Sequence, residues 1–231
     1  MTNEIHHALC GLLALASVCA CASYKGASRE VSAGMLAEQP GWVRLENVQL
    51  VRQRGTKDCG AAALATVFGY LHPGGPAALG RAAIDASLRE QPGRGLAAGQ
   101  LRDYARARGF DAFVIKGSME DLQHEVEAGR PPIVGMYKPL SSGKVLAHYE
   151  VFVGFHRERE QILTLDPARG LREFGQEGFL EEWRAAGQVS IVVLPKDGAP
   201  SARLWRLPTT PALASALPVA GDGVHGSGDL R

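Results

Sequence analysis

The sequence predicts an α+β fold, with helices in its first part and an antiparallel sheet in its second. Three observations carry this. Residues 61–70 form a helix in which Thr66 is the only clearly polar side chain, and a helix apolar all round belongs in a core. Helical spacing of apolar residues returns at 77–89 and 98–108. From Phe110 onward, short runs rich in Val, Ile and Phe follow one another between turns. Strands and helices do not alternate as they do in βαβ units.

The elements follow in order. Residues 8–20 are apolar but shorter than the roughly 20 residues a membrane-spanning helix needs, so they read as the core of a signal peptide. The run ends in Val18-Cys19-Ala20-Cys21, which resembles a bacterial lipobox. Residues 2–7 depart from that pattern, with Glu4, His6 and His7 but no Lys or Arg. Residues 1–20 are therefore expected to be a lipoprotein signal, and Cys21 a lipidated new amino terminus. Two or more acyl chains anchor stably. Ala22 follows Cys21 where an Asp would mark inner-membrane retention. The expected place is thus the cell envelope, on the outer membrane facing the periplasm. Residues 21–41 are small and polar and read as a tether.

The body is expected at 42–195. Trp42 to Val51 reads as a strand, and the core helix runs to about Tyr70. Pro73-Gly74-Gly75-Pro76 is a turn. Leu79, Ala82, Ala83 and Leu88 line one side of a helix over 77–89. Leu101, Tyr104, Ala105 and Arg108 repeat at helical spacing, and Gly109 stops that helix. Phe110–Lys116 is a strand, and Ser118-Met119-Glu120-Asp121 opens a short helix as a capping box. Residues 133–138, 148–155, 161–165 and 189–194 are strands, with a short helix around 179–183. Residues 139–147 read as an exposed loop and 166–170 as a turn. Residues 196–231 form a Pro/Gly/Ala-rich tail, expected to be largely disordered.

Composition excludes several classes. The 231 residues are 45% hydrophobic and 21% charged, with a formal net charge of +1. No basic field or run supports nucleic-acid binding. The chain has no nucleotide-binding motif. Its four cysteines are Cys10, Cys19, Cys21 and Cys59. The body keeps one, Cys59, too few for an internal disulfide or a cysteine-rich zinc site. The histidines lack ligand spacing, so no metal and no cofactor is expected.

Cys59 falls at the first turn of the core helix. Helix-start N–H groups and the helix dipole favour a negative charge, so a thiol there can be activated as a nucleophile. Thiol catalysis also needs a base, a group that orients it, and oxyanion donors. His148 opens a strand, Asp166 closes the next, and Gln53 lies just before Cys59. Taken singly, His148 suits a strand edge, Asp166 before Pro167 a turn, and Gln53 a surface strand end.

Together these residues resemble a known family. Gln53, then Asp58-Cys59-Gly60-Ala61-Ala62 opening an apolar helix, is similar to the signature of the bacteriocin-processing cysteine peptidases, which cut leaders after a double glycine. Leu101-Arg102-Asp103-Tyr104-Ala105, His148-Tyr149-Glu150-Val151-Phe152 and Leu165-Asp166-Pro167-Ala168 with Gly170 continue the resemblance over about 47–194. It implies a papain-like fold with Cys59 as nucleophile, His148 as base, Asp166 as orienting acid and Gln53 at the oxyanion hole. Its implied activity is a cysteine endopeptidase acting on peptides or proteins; the expected lipid anchor places it outside the cytoplasm, and a monomer is expected. Peptide export by this chain is not expected. Two alternatives share the residues: a silent papain-like peptide-binding or assembly module, and a transpeptidase using the same thioester. The enzyme reading expects sulfur, imidazole and carboxylate to meet in one open groove.

Overall fold

The computed structural model describes residues 23–55, 57–88 and 96–196. The presumed signal, Cys21 and the tail beyond Lys196 lie outside the described residues. Among those described, one antiparallel sheet organises the chain. Its strands are β1 (Arg29–Glu30), β2 (Trp42–Arg44), β3 (Phe110–Lys116), β4 (Ile133–Pro139), β5 (Val145–His156), β6 (Gln161–Asp166), β7 (Gly170–Gly175) and β8 (Val189–Pro195). Their order is β1-β7-β6-β5-β4-β8-β3, with β2 paired to β5. The α+β expectation holds.

Six α-helices accompany the sheet: α1 (Ala33–Ala37), α2 (Cys59–Leu71), α3 (Arg81–Leu88), α4 (Ala98–Ala107), α5 (Met119–Glu127) and α6 (Gln176–Ala185). Alternating strand residues supply two cores. Val151, Val153, Leu163 and Ile191 pack with Leu64, Phe68 and Leu101 of α2 and α4. Phe152, Phe155, Ile162 and Phe174 pack with Leu122 of α5 and with Phe179 and Trp183 of α6. Every residue of α2 from Cys59 to Phe68 is buried, as its lack of a polar face requires. Thr66 is accommodated because its hydroxyl donates to the Ala62 carbonyl at 2.9 Å and accepts the Val51 N–H at 2.9 Å.

Local chemistry sets the element ends. Ser118 caps α5, accepting the Asp121 N–H, and Asp121 returns the bond to the Ser118 N–H at 2.7 Å. Gly109 closes α4 at φ +88°, a conformation glycine adopts without strain.

Four expectations are corrected. The strand read over 42–51 ends at Arg44, because Asn47 turns to φ 62° and breaks the extended path. The helix read over 77–89 is a 3-10 turn at Ala77–Leu79, a break at Gly80 with ψ 151°, and then α3. β7 is a strand the pattern does not announce, since Arg172 and Glu173 are buried in it. Glu173 pairs with Arg29 at 2.6 Å, and Arg172 donates to the Ser28 carbonyl at 2.8 Å. Those partners correct the tether as well. Residues 23–41 lie on the body: β1 pairs with β7, and Tyr24 bridges Leu140 of the β4–β5 hairpin. Small polar residues suit a main chain held by sheet pairing as well as a free one.

Candidate active site

Cys59 is the first residue of α2, and Asp58 precedes it as N-cap. The Asp58 carboxylate makes no bond to the helix. It turns back and accepts the N–H groups of Arg54 and Gly55, both at 2.9 Å, and pairs with Arg81 of α3 at 2.8 Å. Burial alone would raise this carboxyl. The backbone donors and Arg81 outweigh burial and hold it below its ordinary value. The loop before Cys59 is thus folded around one carboxylate.

Gln53 belongs to that loop. Its backbone N–H donates to the Pro167 carbonyl at 3.1 Å, which ties it to the turn after β6. Its side-chain amide donates to the Gly55 carbonyl at 2.7 Å, while its Oε1 is buried with no partner.

His148 lies on β5, opposite Met136 of β4. Its Nε2 is 2.8 Å from Asp166 Oδ1, at the end of β6. Cys59 lies near enough to act electrostatically on the imidazole. Burial would push the imidazole down. Interaction with Cys59 and the hydrogen bond to Asp166 reverse this and raise it from 6.5 to about 10. Burial would likewise raise Asp166, but His148, Arg169 and the Ala168 N–H hold it well below the carboxylate range.

Gly60 sets the approach of α2 to β5. A Cβ there would lie 3.1 Å from Leu101 Cδ1 and 3.2 Å from Tyr149 Cδ2. A side chain there would be tight, and Leu101 or Tyr149 would have to give by a few tenths of an ångström. Burial, and then the charge of Cys59, push the Tyr149 hydroxyl well above its ordinary value.

Imidazole and carboxylate meet as expected, but the sulfur expected in an open groove is buried, which corrects that expectation. Cys59 is 5% exposed and His148 3%. Arg54, Gly55 and Lys57, just before Cys59, are exposed. The thiol thus sits directly beneath the surface loop.

Sequence reasoning missed the support behind the site. Glu150, two residues after His148, faces the same way and is fully buried. Its carboxylate lies 2.6 Å from Lys138 Nζ, an ion pair by distance without hydrogen-bond alignment. It also accepts the Thr164 hydroxyl at 2.5 Å. Lys138 reaches Glu182 of α6 at 2.9 Å. Arg169 donates to Asp166 Oδ2 at 2.9 Å. No local pattern marks Arg81 or Lys138, since their partners are distant in the chain; Arg169 lies three residues after Asp166, within the turn the sequence shows.

His148, Glu150 and Asp166 also bring ligand-type atoms within 4.8 Å of one another. Their carboxylates are already compensated by Lys138 and Arg169. A divalent ion would compete with two fixed cations, so this donor set does not fit a metal.

A buried cysteine at a helix start, beside an imidazole held by a carboxylate, is the arrangement of thiol-dependent acyl transfer. Comparison with known proteins agrees. The Peptidase C39 family pattern matches residues 47–197, and the chain belongs to that family. Its papain-like architecture is the fold described above. The peptidase domain of Streptococcus ComA, described as a bi-functional ABC transporter in a quorum-sensing pathway, is 28% identical. That match covers 65% of this chain and 100% of that domain, at a TM-score of 0.53. A C39-like peptidase of Bacillus anthracis shares the fold at 17% identity, covering 68% of this chain and 99% of that one, at a TM-score of 0.53. Among curated proteins there is no sequence match.

Proposed function

We propose that this protein is a cysteine endopeptidase acting through a thioester on Cys59. One observation carries the reading: His148, on which Cys59 at the start of α2 acts electrostatically, has its Nε2 2.8 Å from Asp166. The sulfur attacks the scissile carbonyl carbon. The Cys59 N–H and the second amide hydrogen of Gln53 receive the oxyanion. His148 passes its proton to the leaving amine as the C–N bond breaks. His148 then takes a proton from water, hydroxide adds to the thioester, and the acid product leaves as sulfur regains its charge. Asp166 keeps the imidazole oriented throughout.

The substrate class is peptide or protein, and the working unit a monomer. A peptide-library digest read by mass tests this. Wild type is expected to cut and Cys59→Ala to be silent; equal products from both would end the proposal. Gln53→Ala is expected to lower kcat about 100- to 1000-fold, and unchanged turnover would remove Gln53 from the mechanism.

The lipobox reading of Cys21 completes the proposal, with the protein anchored in the cell envelope on the outer membrane. Ser23 and Ser141 are tied by bonds of 2.9 and 2.7 Å. A lipid two residues upstream would hold the β4–β5 hairpin, and the site near it, close to the bilayer. Incorporation of labelled palmitate into wild type but not Cys21→Ser is the expected result.

A further inference from the structure

Residues 23–46 precede the span that matches the family. Their first part nevertheless reaches the groups that support the site. The Arg169 guanidinium carbon lies 3.8 Å from the centre of the Tyr24 ring. The same guanidinium donates to Asp166 Oδ2 at 2.9 Å, and Asp166 Oδ1 holds His148. Arg169 is 27% exposed, so on its own this cation has water to swing into. Tyr24 is fixed from its other side. Its hydroxyl donates to Glu182 Oε1 at 2.6 Å and accepts the Ser28 N–H at 3.0 Å.

We propose that Tyr24 is a positioning residue for the thiol–imidazole–carboxylate array: its ring clamps Arg169 against Asp166, and Asp166 sets the plane of the His148 ring. The inference rests on the catalytic reading of Cys59, His148 and Asp166. It adds that a segment outside the family span completes the site in this chain. A planar cation against an aromatic face is held by charge and by shape, which a Lys or an aliphatic side chain does not reproduce. The charged groups around the pair are Cys59 from α2, Glu150 from β5 and Arg169 from the turn. Lys138 of β4 pairs with Glu150 and lies 4.9 Å from the same Tyr24 ring. Arg52 donates to the Ala168 carbonyl at 3.0 Å.

The test is the rate of Cys59 alkylation by iodoacetamide against pH, read by mass on the Cys59 peptide, with Tm recorded for each variant. Wild type is expected to react at pH 6, where an ordinary thiol barely does. Tyr24→Leu is expected to move the acid limb up by about one pH unit. At pH values below both limbs that is about a ten-fold slower reaction. Tyr24→Phe, which keeps the ring, is expected to stay near wild type. A lower Tm with an unmoved limb in Tyr24→Leu would make Tyr24 merely structural and overturn the proposal. Equal shifts in the Leu and Phe variants would assign the effect to the hydroxyl and overturn it too. Arg169→Lys, which keeps the charge and loses the planar face, serves if Tyr24→Leu does not fold. It is expected to shift the limb likewise, and an unmoved limb refutes the clamp. A wild-type limb at the ordinary thiol value would overturn the catalytic reading itself, and is distinguishable from these results.

Discussion

Asp58→Ala is the perturbation that most directly tests how the loop before Cys59 is built. The carboxylate holds two backbone N–H groups at 2.9 Å and Arg81 at 2.8 Å. Arg54 and Gly55 are exposed, so water replaces the acceptor for their N–H groups. Arg81 is the larger loss, because its side chain is only 10% exposed and would be left unpaired. Hydrogen bonds to charged groups contribute about 1.5–3 kcal/mol, and stranding one partner of a buried pair costs more. The expected destabilisation is about 2–4 kcal/mol, measured by urea unfolding. Removing Arg81 as well is expected to recover part of it, with a coupling of about 1–3 kcal/mol in a double-mutant cycle. The pH dependence has a definite sign. The folded Asp58 carboxyl is lowered, so its stabilisation is present above the unfolded value near 3.8 and is lost as pH falls toward the folded one. Asp58→Ala is expected to lose that acid limb. Misplacing Gln53 by about 1 Å is expected to slow cleavage by about 100-fold. Stability of Asp58→Ala within about 0.5 kcal/mol of wild type would refute the account of the loop.

Three further outcomes are expected. Gly60→Ala puts a methyl group 3.1 Å from Leu101 and 3.2 Å from Tyr149, which is expected to cost about 1–3 kcal/mol by overpacking and to slow Cys59 alkylation; wild-type values of both would show that the helix start has room. Folded His148 is raised to about 10, so its stabilisation is full below about 6.5 and fades as pH rises through 10. Unfolding curves of wild type and His148→Gln should therefore converge in alkali, and parallel curves would contradict the raised imidazole. Lys138→Met strands Glu150 and Glu182 and is expected to cost about 3–5 kcal/mol. Neutralising both carboxylates in that background should restore much of it, and denaturation of the single and triple variants checks this.

Much of the fold was legible because its signals are local. The apolar run of α2, the capping box at Ser118 and the Val/Ile/Phe strands each report their structure within a few residues. The Asp58-Cys59-Gly60 turn, the strand holding His148 and the end of β6 likewise named the three groups that meet, although β5 begins at Val145 and not at His148 as read. The order of residues along a strand is a property of the chain, so His148 and Asp166 stand out without coordinates. What failed to read locally was whatever depends on a distant partner. β7 was hidden because Arg172 and Glu173 look exposed until Ser28 and Arg29 are brought against them. Residues 23–41 look like a tether for the same reason.

The sequence by itself determined an α+β chain with one body cysteine at a helix start, and a histidine and an aspartate on consecutive strands. Only the tertiary structure decided that Asp58 serves the loop rather than the helix, that Gly60 admits α2 against Tyr149, and that the thiol lies almost fully covered. It alone placed Lys138, Arg169 and Tyr24 behind the site. Charge compensation acts through space over a few ångströms, and chain order shows it only for Arg169, three residues from Asp166.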